Sequence, residues 1–228
     1  MPSEIMKLGV LFSGGKDSTF ATYLAKKNGY EISCLISIFS ENKESYMFHT
    51  PSISKTRQQA KAMNIPIIVQ KTKGERESEL KDLEKVIRKA VKKFRIEGIV
   101  TGAVESVYQA SRIQKICSKL KLECFNPLWQ KPQFEILEDL LKNEFEVVLT
   151  GVFAYPLTKS WLLKKINKKF IIEMKELNKK YKISPAGEGG EFETFVLNAP
   201  GLFEKPLKIT DSKIFGRGYS WRLEIDVK

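Results

Sequence analysis

Along residues 1–125 the hydrophobic positions fall into short apolar runs separated by stretches of helical period. Residues 7–12 form a compact apolar run ending at Ser13-Gly14-Gly15, after which Phe20, Tyr23 and Leu24 recur at helical spacing until Asn28-Gly29. Residues 31–39 predict a second buried strand, 53–63 a helix and 65–69 a third strand. Across 75–94 the positions Leu80, Leu83, Val86, Ile87, Ala90, Val91 and Phe94 keep one apolar stripe, the clearest helix in the chain. A fourth strand follows at 96–101. Ser106 to Gln109 has the spacing of a capping box ahead of a helix through Ile113 and Cys117, and 122–125 close a fifth strand. Strands alternating with helices imply an α/β domain: a five-stranded, mostly parallel sheet with helices on both faces.

After Pro127 the alternation weakens. A helix is expected near 134–142, a strand at 146–153 and a lysine-rich helix at 170–181. Tyr219, Trp221, Leu223, Ile225 and Val227 alternate with Ser220, Arg222, Glu224 and Asp226, the period of a strand with one wet face, behind a Gly216-Arg217-Gly218 turn. The expected division is a nucleotide-binding domain over 1–125 and a smaller α+β substrate-binding part over 126–228. Residues 185–195, glycine-rich and acidic, read as a loop that cannot be a core strand. Glu188, Glu191 and Glu193 would repel one another there unless solvent, metal or a cationic ligand relieved them.

Composition narrows the classes. With 42% hydrophobic and 11% aromatic residues the chain has enough apolar surface for a core, which argues against disorder. Its apolar runs fall far short of the roughly 20 residues of a membrane span, and residues 1–7 do not lead into a signal-peptide core, so a cytoplasmic protein with no membrane partner is expected. Cys34, Cys117 and Cys124 form no C-x-x-C pair, which argues against a zinc ribbon or a disulfide framework. A net charge of +12 has two readings: an anionic partner such as a nucleotide or RNA, or the charged surface of a heat-adapted protein. The sequence is compatible with a homodimer and does not set the oligomeric state.

Candidate chemistry begins where the first strand hands over to the first helix, at Ser13-Gly14-Gly15-Lys16-Asp17-Ser18. Glycines there let backbone amides approach an anion, the helix points its positive end at it, and Lys16 adds a mobile charge. Ser13 and Ser18 supply hydroxyl donors, and Asp17 suits the magnesium that accompanies ATP. The Walker pattern fails, because Val10 stands where glycine is needed and Asp17 replaces Ser or Thr; G-x-G-x-x-G fails too. The loop resembles the pyrophosphate loop of the N-type ATP pyrophosphatases. That resemblance implies ATP with Mg2+, cleavage at the α-phosphate and an adenylated intermediate. After the fourth strand, residues 101–112 open a second helix facing the same crevice, with an ordinary capped helix as the alternative.

Four stretches resemble diphthine-ammonia ligases, which complete diphthamide on translation elongation factor 2. They are Glu188-Gly189-Gly190-Glu191-Phe192-Glu193-Thr194 with Asn198-Ala199-Pro200, Gly102-Ala103-x-x-Ser106-x-Tyr108-Gln109-x-x-Arg112, Phe48-His49, and Thr72-x-Gly74-Glu75-x-Glu77. The resemblance covers nearly the whole chain. It implies an ATP-dependent ligase that amidates the diphthine carboxylate with free ammonium, releasing AMP and pyrophosphate. Lys16, Asp17, His49, Glu188, Glu191 and Glu193 are then the catalytic candidates, and Ser13 to Ser18 with Gly102 and Ala103 bind ATP. Glu105, Tyr108, Gln109, Arg112, Gly189, Gly190, Phe192 and Thr194 contact substrate. His49 has two readings, a general base toward ammonium or a structural hydrogen-bonder. The three glutamates with Phe192 or Trp129 would make an acidic, aromatic cradle for the trimethylammonium group of diphthine. Two other classes compete: an adenylating enzyme that modifies tRNA, although nucleic acid is not the expected substrate, and a sensor that binds ATP without turnover.

Overall fold

The structure is a computed structural model that describes residues 5–40, 55–72 and 76–228. Its described residues divide into two compact units, one drawn from within Met1–Ser13, Asp17–His49 and Asn64–Trp129, the other from within Gly14–Lys16, Thr50–Met63 and Gln130–Lys228.

In the first unit the strands β1 (Lys7–Leu11), β2 (Glu31–Ser40), β3 (Ile67–Thr72), β4 (Gly98–Val100) and β5 (Glu123–Phe125) form one parallel sheet in the order β3-β2-β1-β4-β5. Helices α1 (Lys16–Lys27), α3 (Arg76–Phe94) and α4 (Val107–Leu120) connect them, while α2 (Thr56–Ala62) belongs to the second unit. Successive residues Cys34, Leu35 and Ile36 of β2 are all buried, which requires cover on both faces of the sheet. On one face, Cys34, Ile36, Ile38 and Ile99 meet Leu83, Val86, Ile87 and Ala90 of α3 and Ile113, Ile116 and Cys117 of α4. The apolar stripe read from the sequence is therefore the core face of α3.

The second unit is an antiparallel sheet of β6 (Glu146–Val152), β7 (Phe192–Asn198), β8 (Ile209–Arg217) and β9 (Ser220–Val227), ordered β7-β6-β9-β8. It also contains α5 (Gln133–Lys142) and α6 (Lys168–Tyr181). Phe170 of α6 is fully buried and meets the Phe192 ring edge-on at 6.0 Å.

Three expectations need correction. The stretch 185–195 is not loop throughout, because Phe192 begins β7 and Phe192, Thr194, Phe195, Val196 and Leu197 are buried. Glycine and glutamate dominate residues 187–191 and mask a strand rich in aromatic and β-branched residues that starts directly after them. β3 starts at Ile67 rather than Ile65, since Pro66 can offer its carbonyl to Leu35 N–H (2.8 Å) but has no N–H to return. β8 was missed because eight of its nine residues are exposed, which leaves no alternation to read; backbone pairing with β9 holds it. Among the described residues no helix is long and apolar enough to cross a membrane.

Leu83, fully buried in the α3 face of the core, tests this packing. Leu83→Ala is expected to cost about 2–5 kcal/mol, read as a lower urea midpoint at unchanged m-value.

Candidate active site

The strand order reverses between β1 and β4, so the loops leaving their carboxyl ends flank the crevice where open α/β sheets bind ligands. Phe12 N–H donates to Ile36 O (2.8 Å) and Ser37 Oγ donates to Phe12 O (2.6 Å), which fixes where the chain leaves β1. The turn is closed by hydroxyls: Ser13 N–H donates to Ser18 Oγ (3.2 Å), and the two Oγ atoms lie 3.1 Å apart. Thr22 Oγ1 donates to Ser18 O (2.6 Å) one turn along α1.

Gly102, after β4, has a different reason to be glycine from the one its motif implies. A Cβ there would sit 2.7 Å from Asp17 C and Ser18 N, so the space is taken by the chain's own loop. Ala103 N–H donates to Thr101 Oγ1 (3.2 Å), and the Asn126 amide, oriented to donate, reaches Ala103 O (2.9 Å) and Thr101 O (3.0 Å). Ser106 caps α4 as its spacing predicted, with Oγ accepting from Gln109 N–H (3.3 Å). The Arg112 guanidinium lies 3.3 Å from the Tyr108 ring centroid and donates to Tyr108 O (3.2 Å), while Glu105 is exposed.

In the second unit, Gly14 has φ +82°, and a Cβ on it would fall 2.3 Å from Gln59 Oε1. Only glycine meets both conditions. Its carbonyl accepts from Val196 N–H (3.1 Å) and from Gln59 Nε2 (2.9 Å), and Gln59 Nε2 also reaches Val196 O (2.9 Å). Lys16 N–H donates to Thr194 Oγ1 (3.1 Å), and Lys16 Nζ lies 5.9 Å from the Phe192 ring centroid. Residues 14–16 thus run along the outer edge of β7. Gln59 anchors this loop without standing out in the sequence, for a glutamine in a helix carries no distinguishing signal.

The acidic motif separates into unlike carboxylates. Glu191 Oε1 accepts Ser184 N–H (2.8 Å), and its backbone carbonyl accepts Phe153 N–H (2.8 Å), which ties it into its own turn. Gly189 and Gly190 are exposed, and Glu188 is half-buried. Glu193 pairs with Gly151, which pairs in turn with Arg222, so their side chains share one sheet face across a residue that has none. Arg222 lies over the Phe153 ring at 5.1 Å. Although part of Glu193 reaches solvent, its Oε2 is shielded and has no partner among the described residues, as is true of Arg222 Nε. Burial pushes the Glu193 carboxyl up to about 8, against a smaller downward pull from Arg222. Arg222 is a second residue the sequence reading did not single out.

His49 and the 41–50 stretch lie outside the described residues, as do Gly74 and Glu75 of the fourth motif. No cluster of three or more His, Cys, Asp or Glu that could hold a metal occurs among the described residues. A single carboxylate such as Asp17 fits Mg2+ of the kind that keeps its waters and binds substrate phosphates. Burial pushes the Cys34 thiol up to about 12, which makes it an inert core residue.

A sequence profile described as the diphthamide synthase N-terminal domain matches residues 6–124, and one described as the diphthamide synthase C-terminal domain matches residues 132–226. A diphthine-ammonia ligase of Schizosaccharomyces pombe is 31% identical over 229 residues, covering 92% of this chain but 37% of its own length. That of Rattus norvegicus is 30% identical over 226 residues, covering 91% of this chain and 84% of its own. A crystal structure described as a tRNA methyltransferase subunit from Methanocaldococcus jannaschii covers 87% of this chain and 100% of its own at 19% identity and a TM-score of 0.48, too slight a likeness to carry weight. The two profiles together span most of the sequence, and the chain belongs to the diphthamide synthase family.

Proposed function

We propose that this chain is an ATP-dependent ligase that amidates the diphthine carboxylate of translation elongation factor 2 with ammonium. The observation that carries the reading is the glycine-bearing, hydroxyl-closed turn at the β1–β4 switch point in a chain of this family. A carboxylate oxygen bonds to the α-phosphorus of ATP as the bond to the β-phosphate oxygen breaks and pyrophosphate leaves. Ammonia then bonds to the acyl carbon, AMP leaves, and the amide remains. In this reading residues 1–125 bind ATP, and 126–228 receive the modified factor.

Backbone amides at the start of α1, with Lys16, would hold the phosphates, and Asp17 would hold a Mg2+ that neutralises charge on them. Ammonium must shed a proton before it can attack. In this reading Glu193 takes that proton in its ionised form, the minor form at neutral pH for a carboxyl pushed up to about 8, and its share grows as pH rises toward that value, with Arg222 beside it across Gly151. Glu191, bonded into its turn, shapes the entrance rather than moving protons.

The direct test is incubation with ATP, Mg2+, ammonium and elongation factor 2 bearing diphthine, read by intact mass and nucleotide analysis. Amidated factor with AMP and pyrophosphate is expected, and EDTA should abolish both. Pyrophosphate release stimulated by tRNA instead of the factor would sink the reading.

Glu193→Gln is expected to lower ammonium-dependent turnover by roughly 10²–10⁴-fold while ATP affinity stays unchanged. The same carboxyl has a signature in stability. In the unfolded chain it titrates near 4.3, so between there and about 8 the folded chain keeps a proton that the unfolded chain has lost. Stability therefore declines as pH rises through that window. Glu193→Gln should flatten this slope and leave the variant more stable than the parent at pH 8, by on the order of a few kcal/mol. Gly102→Val, which drives a side chain into the Asp17–Ser18 backbone, should raise the KM for ATP at least tenfold with little change in the fold by circular dichroism.

A further inference from the structure

In the first unit, α3 and α4 flank an open groove of about 530 Å³ that the proposed chemistry does not use. Lys81, Lys85, Arg88, Lys89 and Lys92 of α3 line it, with Lys119 of α4 on its other wall. These α3 positions recur every three or four residues, so the cations stand in line along one helix face for about 16 Å. One carboxylate lies among them. Glu84 accepts from Arg88 (2.7 Å) and Lys119 (2.9 Å), and those two cations hold its carboxyl below the usual carboxylate range. Lys89 donates to Gln70 Oε1 (3.1 Å). Lys81, Lys85 and Lys92 make no ion pair with any described residue.

Six cations against one acid, in a concave strip, select the occupant. No apolar side chain lines the groove, so it has nothing to insert into a lipid surface and no aromatic anchor of the kind that carries protein–protein affinity. Lysine predominates, and lysine meets phosphate as a point charge rather than by a planar fork. The contrast with α6 is instructive. There Lys168, Lys169, Lys175, Lys179 and Lys180 share the helix with Glu173 and Glu176, but the groove beside them is partly apolar, lined by Leu141, Ile171 and Ile172 as well as by Lys142, Lys168 and Glu138.

We infer that the α3–α4 groove binds the phosphate backbone of a nucleic acid, without reading its bases. The contacts are electrostatic, so association is strongly salt-dependent and tolerant of sequence, and DNA and RNA strands of equal length behave alike. This surface is independent of the ligase reading, for it shares no residue with the β1 and β4 loops or with β7.

The test is fluorescence anisotropy of a labelled twelve-nucleotide oligouridylate titrated with the full chain at several salt concentrations. The parent should bind with log K falling linearly in log salt. Each phosphate contact removed from a single strand lowers that slope by about 0.7. Lys85→Gln, Lys89→Gln and Lys92→Gln combined, all at exposed positions, should therefore flatten it by about 2 and weaken binding roughly tenfold or more. The matched triple Lys168→Gln, Lys169→Gln and Lys179→Gln on α6 should leave it unchanged. Equal losses in the two triples would reduce the effect to net charge and overturn the inference. So would an α3 triple that binds like the parent, or one whose loss appears only with phosphatidylserine vesicles. Pyrophosphate release by the α3 triple should match the parent, which keeps this outcome separate from the fate of the ligase reading.

Discussion

The carbonyl of Gly14 is the point on which the candidate site turns. Val196 N–H and Gln59 Nε2 both donate to it, and the left-handed backbone that presents it there is open to glycine at little cost. A loop that binds phosphate, the role proposed for this one, must hold its amides in place before the anion arrives, because ordering them on binding would consume affinity. Here the outer edge of β7 supplies the order. On that edge strand the N–H and carbonyl of Val196 are thereby both satisfied, by Gly14 O and Gln59 Nε2.

Glu193 follows from the same strand. β7 places alternate side chains on opposite faces, so Thr194 reaches the amide of Lys16 while Glu193 points to the face it shares with Arg222. A glycine at 151 leaves the row between them empty, so the carboxylate and guanidinium attract across a gap instead of closing into a bidentate pair. The attraction lowers the carboxyl by less than burial raises it. Glu191 differs in that its Oε1 accepts a backbone N–H and ties it to its turn, although its Oε2, like that of Glu193, is shielded without a partner among the described residues.

Legibility in the sequence tracked the range of the interactions. The β1 turn and the α3 stripe depend on neighbours a few residues apart, and their composition announced them. Ser106 announced its cap for the same reason, since Ser106 and Gln109 lie within one turn. β7 was hidden because the glutamates and glycines before it outweighed its first buried residues in any short window. Gln59 and Arg222 were invisible for a deeper reason: their roles arise from register across strands and from a helix 137 residues away from its partner Val196. No local pattern encodes such pairings. The resemblance gives Gly102 a place in ATP binding, while the structure gives it a local reason to be glycine, since the space a Cβ would need is filled by the backbone of Asp17 and Ser18.

The positive charge divides in the same way. Summed over the chain, +12 cannot separate a charged surface from a binding surface. Position does. Lys16 is almost wholly buried beside an aromatic ring, where its charge is held to one place. Lysines on α6 are interrupted by Glu173 and Glu176 and make the mixed surface expected of a solvated helix. Between α3 and α4 six cations line one groove, and the single acid among them, Glu84, is already shared by Arg88 and Lys119. Like charges so arranged repel one another, and a fold that keeps them together bears that cost unless an anion relieves it. The charge of this protein is therefore best understood by location, with one part fixed at the loop, one dispersed over α6 and one concentrated between α3 and α4.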